Sequence, residues 1–161
     1  MPRATVITVS DSCSRGERED VSGPEACRLL REAGFDVETP RVVPDERSAI
    51  AAALREAAAS STLVVTTGGT GLAARDVTPE ATLDVIDRAV PGIPEAIRAG
   101  SLKITPKAML SRAAAGIRKK TLIINLSGSE RAVREQLAVV LPVLGHAVET
   151  LRGEGGDCGR R

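Results

Sequence analysis

The sequence predicts one α/β domain: a mostly parallel sheet covered on both faces by helices, with a single antiparallel strand. Three observations carry this prediction. Short β-branched runs alternate with segments whose apolar residues recur at helical spacing, as in strands joined by crossover helices. Polar and glycine-rich segments follow the strand candidates directly, at 10–12, 43–45, 66–76 and 127–129, where open parallel sheets hold their ligands. Late in the chain, two apolar runs at 110–117 and 121–126 flank the basic turn Arg118-Lys119-Lys120. That pair reads as a hairpin, although Lys-Lys is not a favoured hairpin turn.

Residues 4–9 are a β-branched run ending in Ser10-Asp11-Ser12, a buried strand that enters a polar loop. Gly23-Pro24 precedes a helical pattern with Ala26, Leu29, Leu30 and Ala33 on one side, closed by Gly34. A second strand over 37–43 is interrupted by Pro40, which has no N–H for a ladder and argues for a sheet edge. Pro44-Asp45-Glu46 opens a helix whose apolar face is Ile50, Ala53, Leu54 and Ala57. Residues 62–66 form an apolar strand that runs straight into Thr67-Gly68-Gly69-Thr70-Gly71. Thr78 as N-cap and Pro79 at the first helical position begin the next helix. Pro91, Gly92 and Pro94 break it and start a shorter one through Ile97, whose Ile93, Ala96 and Ile97 suggest a packing surface. Ser127-Gly128-Ser129 leads into a last amphipathic helix reaching about Leu151. The domain is expected over 1–152. The tail 153–161 has too little apolar content to pack and is expected to be flexible.

A chain of 161 residues falls in the range of one domain. Its 42% hydrophobic and 27% charged residues are ordinary for a globular protein. Its 22 Lys+Arg nearly cancel its 21 Asp+Glu, so no nucleic-acid partner is expected, since that needs a basic excess on one face. Phe35 is the one aromatic residue, too few for a platform on which bases stack. A flat heterocycle would be held by aliphatic contacts, glycine backbone and polar edges. Cys13, Cys27 and Cys158 show neither a disulfide framework nor zinc spacing. The sole histidine, His146, falls in a helical pattern and reads as a helix-face residue. The start lacks the apolar region of a signal peptide, and no apolar run reaches the ~18 residues of a membrane span. The expected location is cytoplasmic, with no membrane partner.

The residues that can do chemistry gather after the strands. Gly68, Gly69, Thr70 and Gly71 allow backbone N–H groups to approach a phosphate closely. The spacing is neither that of a P-loop nor that of a dinucleotide-binding fingerprint. By itself the pattern suits a tight turn equally well. Arg75-Asp76 follows, and Thr78-Pro79 already serve the helix start, so Asp76 is free for another role. A carboxylate beside a phosphate cradle can hold Mg²⁺, which takes one or two protein carboxylates plus substrate phosphates. Asp45 has a strong competing role, because Pro44-Asp45-Glu46 places it well as an N-cap, and the residues alone favour that cap. Ser101 to Pro106 and Leu110-Ser111-Arg112 add hydroxyls and two cations to an apolar region, or serve as ordinary loop chemistry. No Ser-His-Asp arrangement is present.

In order along residues 4–152, these segments resemble the molybdopterin adenylyltransferase family, the Mog/MoaB-like domains that include the G domain of gephyrin. The resemblance rests on Thr8-Val9-Ser10-Asp11, Val43-Pro44-Asp45-Glu46, the glycine turn with Arg75-Asp76-Val77-Thr78-Pro79-Glu80-Ala81-Thr82, and Pro91-Gly92. It continues through Ser101-Leu102-Lys103-Ile104-Thr105-Pro106, Met109-Leu110-Ser111-Arg112, Ala115-Gly116-Ile117-Arg118 and Thr121-Leu122-Ile123-Ile124-Asn125. It implies a three-layer α/β/α sandwich, a homotrimer, and Mg²⁺-dependent transfer of AMP from ATP to the terminal phosphate of molybdopterin, with release of pyrophosphate. It implies further that Asp45 and Asp76 are the catalytic, Mg²⁺-associated pair, and that Ser101, Ser111 and Asn125 line the molybdopterin side. Gly68, Gly69, Thr70, Gly71, Ser127, Gly128 and Ser129 would face the nucleotide. Other cofactor-biosynthesis proteins are possible partners. The chain departs from the family in one loop: Leu126-Ser127-Gly128-Ser129-Glu130 stands where many members have Leu-Pro-Gly-Asn/Ser-Pro. Without the prolines the loop loses preset φ angles and has more entropy to lose on binding. A non-catalytic molybdopterin-binding or scaffold paralogue is the alternative.

Overall fold

β1 (Arg3–Val9), β4 (Leu63–Thr67) and β7 (Thr121–Leu126) form the parallel centre of a seven-stranded sheet in the computed structural model. Every residue of β4 and β7 is buried, so their apolar residues stand consecutively, as Leu63-Val64-Val65 and Leu122-Ile123-Ile124, rather than alternating with exposed ones. The strand order is β2-β1-β4-β7-β6-β5, with β3 also paired to β1. Residues 1–154 are described. The tail expected to be flexible lies, from 155 onward, outside the described residues, and Cys158 with it. Before it, Gly153 takes φ 78 and closes the last helix.

Side chains alternate between the two faces of the sheet with a period of two. Val6, Leu63, Val65, Leu122 and Ile124 pack under α2 (Ser22–Glu32), α5 (Gly92–Leu102) and α6 (Glu130–Arg152). Their neighbours Ile7, Val64 and Ile123 pack on the opposite face under α3 (Arg47–Ser60) and α4 (Thr78–Val85). The result is three layers, α/β/α. β6 (Ala115–Arg118) runs antiparallel to both of its neighbours, β7 and β5 (Arg88–Ala89), so a single strand opposes the rest. The basic turn before β7 is made by Lys119 at φ 53. Its N–H donates to Asp87 Oδ2 at 2.7 Å, an anchor that stands in for favourable turn residues.

Several elements differ from the sequence pattern. The strand expected over 37–43 is two: β2 (Asp36–Val37) and β3 (Arg41–Val43) lie along the same edge of β1, with Pro40 in the gap. Two-residue β5 is too short to leave a periodic signal. α5 runs on to Leu102, past the expected end at Ile97. The run from 110 is first the end of a 3₁₀ turn (Pro106–Leu110), and the strand starts only at Ala115. Ile97 is buried in the chain's own core and Ile93 packs against it, so little of the apolar surface expected there stays free. Neither expected carboxylate nor hydroxyl cap forms. α3 is preceded by Glu46 without a side-chain cap bond, and α4 by Val77, also without one. Among the described residues no helix is long and apolar enough to cross a membrane.

Candidate functional site

The sheet register brings the loops of the site to one edge. Val9 pairs with Val43, Thr8 with Thr67, and Thr67 with Leu126. The chain therefore leaves β1, β3, β4 and β7 at one level, and the segments 10–12, 44–46, 68–76 and 127–129 adjoin. Backbone bonds tie them: Ser10 N–H donates to Val43 O at 2.9 Å, and Gly68 N–H to Leu126 O at 3.0 Å. α1 (Asp11–Ser14) starts here, with Ser10 Oγ accepting from Cys13 N–H.

The glycine turn requires its glycines. Gly68 and Gly69 take φ 92 and 70, where any other residue is strained. A Cβ on Gly68 would strike the Val9 carbonyl, and one on Gly69 would strike the Thr78 hydroxyl and come within 3.2 Å of Asp45 Oδ1. A Cβ on Gly71 would lie 2.9 Å from Asp76 Oδ2. Both sequence-predicted carboxylates thus press on this turn, Asp45 at Gly69 and Asp76 at Gly71. Asp45 Oδ2 accepts the Asp11 N–H at 2.9 Å, and Asp76 Oδ2 accepts the Ala73 N–H at 3.0 Å. Among the described residues, the second oxygen of each accepts no hydrogen bond. Burial pushes the Asp45 carboxyl above its ordinary pKa; the neighbouring charges of Asp11 and Asp76 add to the rise, while the Asp11 N–H and Arg75 oppose it.

Three residues outside the predicted site set hold this geometry. Asp11 Oδ1 accepts the Asp45 N–H at 2.9 Å, and Arg75 grips both Asp11 oxygens at 2.6 and 3.0 Å. The Arg75 bond is the main reason the Asp11 carboxyl is lowered to about 2. Arg112 fastens the turn from the other side: Nε donates to Gly71 O at 2.9 Å, Nη2 to Asp76 O at 2.6 Å, and Nη1 to Glu80. Its own N–H donates to Thr70 O. Asp11, at a strand end, was legible as a candidate. Arg112 was not, because a clamp on distant carbonyls leaves no local pattern.

Ser101 and Ser111 share a cleft of about 320 Å³ with Thr70, Gly71, Ser127 and Gln136. Gly68 and Gly128 border a smaller hollow instead, beside Ser10, Asp20 and Thr67. Ser129 Oγ accepts from Ala132 N–H at 3.0 Å and caps α6. Asn125 is not brought to the cleft. It is 1% exposed, and its amide lies between strands and α4: Nδ2 donates to Thr66 Oγ1 and Thr82 Oγ1, while Oδ1 accepts from Ala114 N–H. Thr82 then bonds Thr78 O, and Thr78 Oγ1 bonds Gly68 O at 3.0 Å. Asn125 therefore supports the glycine turn from behind. Among the described residues no group of three or more His, Cys, Asp or Glu is placed to hold a metal ion.

The family described as a probable molybdopterin binding domain matches residues 5–146. The chain belongs to that family. A molybdopterin adenylyltransferase of Helicobacter pylori is 43% identical over 155 residues, 92% of this chain and 86% of that protein. Gephyrin of Dictyostelium discoideum is 44% identical over 154 residues, 89% of this chain but 21% of that protein. The crystal structure of the molybdopterin biosynthesis enzyme MoaB from Thermus thermophilus superposes with a TM-score of 0.89 at 46% identity, covering 95% of this chain and 98% of that one. Membership in the molybdopterin-binding family agrees with the three-layer fold and its single antiparallel strand.

Proposed function

We propose that this chain is a molybdopterin adenylyltransferase of molybdenum cofactor biosynthesis, acting with Mg²⁺ and ATP. One observation carries the reading: Asp45 and Asp76 lie against a glycine turn with no room for a side chain at Gly68 or Gly69, each with an oxygen left open. A hydroxyl-lined cleft adjoins that turn. The names of the relatives support the same reaction.

An oxygen of the molybdopterin phosphate attacks the α-phosphorus of ATP. The bond from that phosphorus to the bridging oxygen breaks, and its electron pair leaves on pyrophosphate. Such a step joins two polyanions, so charge repulsion and in-line alignment are the obstacles. No side-chain nucleophile is needed. A bound Mg²⁺ would neutralise phosphate charge, and two open carboxylate oxygens, with no third acidic ligand grouped with them among the described residues, fit a cation completed by substrate oxygens. In this reading the glycine turn admits the nucleotide phosphates, Ser101 and Ser111 bond molybdopterin, and Ser127-Gly128-Ser129 bounds the nucleotide. Asn125 acts through the turn it supports. The active form is a cytoplasmic homotrimer that exchanges its substrate and product with other cofactor-biosynthesis proteins.

The test is to incubate purified protein with molybdopterin, ATP and Mg²⁺ and to measure pyrophosphate. Stoichiometric pyrophosphate with adenylylated molybdopterin is expected. Binding of molybdopterin without pyrophosphate would leave a non-catalytic scaffold. Light scattering that finds a monomer at micromolar protein would remove the trimer.

A further inference from the structure

Gln136 lies on α6, 6% exposed, at the wall of the cleft. Its amide makes two bonds to one residue. Oε1 accepts the Ser127 N–H at 2.9 Å, and Nε2 donates to Ser127 Oγ at 2.9 Å. The first bond fixes the orientation of the amide, because a backbone N–H can only donate and must face the carbonyl oxygen. The nitrogen is thereby forced toward the hydroxyl, whose oxygen is the acceptor. The hydroxyl proton must then point elsewhere. Among the described residues nothing accepts it, and Ser127 lines the same cleft as Thr70, Gly71, Ser101 and Ser111. A hydroxyl that already accepts one hydrogen bond is polarised into a better donor.

We propose that Gln136 is a positioning residue that makes Ser127 an obligate hydrogen-bond donor for a phosphate oxygen of the bound ligand. The brace fixes place as well as polarity. It holds the start of a loop whose Gly128 approaches Gly68 so closely that a Cβ on Gly128 would lie 3.2 Å from Gly68 Cα. The loop is thus set by a side-chain amide nine residues on, without proline. This inference rests on the adenylyltransferase reading for its ligands. ATP and molybdopterin both offer phosphate oxygens, and the test separates them.

Titration calorimetry with Mg²⁺–ATP and, separately, with molybdopterin supplies the two arms. Ser127→Ala keeps the N–H bond to Gln136 and should leave the thermal midpoint in place, while one of the two ligands binds about tenfold or more weaker, as for a lost bond to a charged group. Gln136→Glu keeps an acceptor for the Ser127 N–H but supplies no donor, so the hydroxyl turns its proton to the carboxylate. A comparable loss is expected for the same ligand, shrinking to about twofold or less in the S127A background because the two changes act through one bond. An equal loss from Gln136→Glu in both backgrounds would mean simple charge repulsion and would overturn the proposal. Unchanged binding of both ligands by S127A would overturn it alone, even if the Gln136 variant failed to fold. Wild-type protein that binds neither ligand would overturn the functional reading and this proposal with it.

Discussion

The loops after β4 and β7 lie side by side at the sheet edge, yet they are shaped by different means. After β4 the backbone itself is the device: Gly68 and Gly69 take left-handed φ, and Val9, Thr78, Asp45 and Asp76 fill the space where side chains would be. In the loop 127–129 after β7 no residue has a positive φ, and a side-chain amide from α6 holds Ser127 in place. A backbone device accepts only glycine. A side-chain brace is one solution among several, which is how this chain manages without the prolines of its family pattern.

That contrast also explains what the sequence could reveal. The glycine turn was legible because only one residue type fits its φ angles and close approaches. The parallel sheet was legible because β4 and β7 are buried on both faces and carry consecutive apolar residues, Leu63-Val64-Val65 and Leu122-Ile123-Ile124. Asp45 was legible as polar and strand-terminal, but its residues alone favour a helix cap, and only the family resemblance implies a catalytic role. Local pattern cannot show that its carboxylate turns instead to the Asp11 N–H, 34 residues away. Asn125 was expected to line the cleft and lies instead behind the glycine turn, because a buried amide bridging Thr66 and Thr82 looks, in sequence, like one lining a pocket. Gln136 gave no signal at all, and Arg112 showed as a cation but not as a clamp. Their partners are distant backbone groups.

The two loops should respond differently to the same small change, and the largest effect on stability belongs to the first. Gly69→Ala forces a left-handed alanine and a clash with Thr78, a loss of about 2–4 kcal/mol, measurable by urea unfolding. Asn125→Ala, which strands the Thr66 and Thr82 hydroxyls and the Ala114 N–H, should follow with about 1–3 kcal/mol. Gly128→Ala has an ordinary φ and one close neighbour, so about 1 kcal/mol or less is expected. Losses of equal size at Gly69 and Gly128 would erase the distinction between the loops.

The smallest effect is one of pH. Asp11 is lowered from 3.8 to about 2, so its ion pair with Arg75 adds stability above the ordinary carboxylate pKa. That contribution is lost as pH falls through about 2. Arg75→Gln removes the main cause of the depression, and its difference from wild type should close as pH drops from 5 toward 2. The pair is solvent-exposed on the Arg75 side, so the shift of thermal midpoint will be modest. A difference that stays constant with pH would assign Arg75 a role other than this pair.

The central claim is that Asp45 and Asp76 serve the reaction rather than the fold. Asp45→Asn and Asp76→Asn keep shape and a hydrogen-bonding oxygen but remove the charge, and neither carboxylate caps a helix that the change could unravel. The rate of adenylylated molybdopterin formation at saturating Mg²⁺, measured beside the thermal midpoint of each variant, tests the claim directly. Removal of one electrostatic stabiliser should lower the rate by about 10²–10³-fold while the midpoint barely moves. Rates near wild type in both variants would contradict the account and take these two carboxylates out of the mechanism.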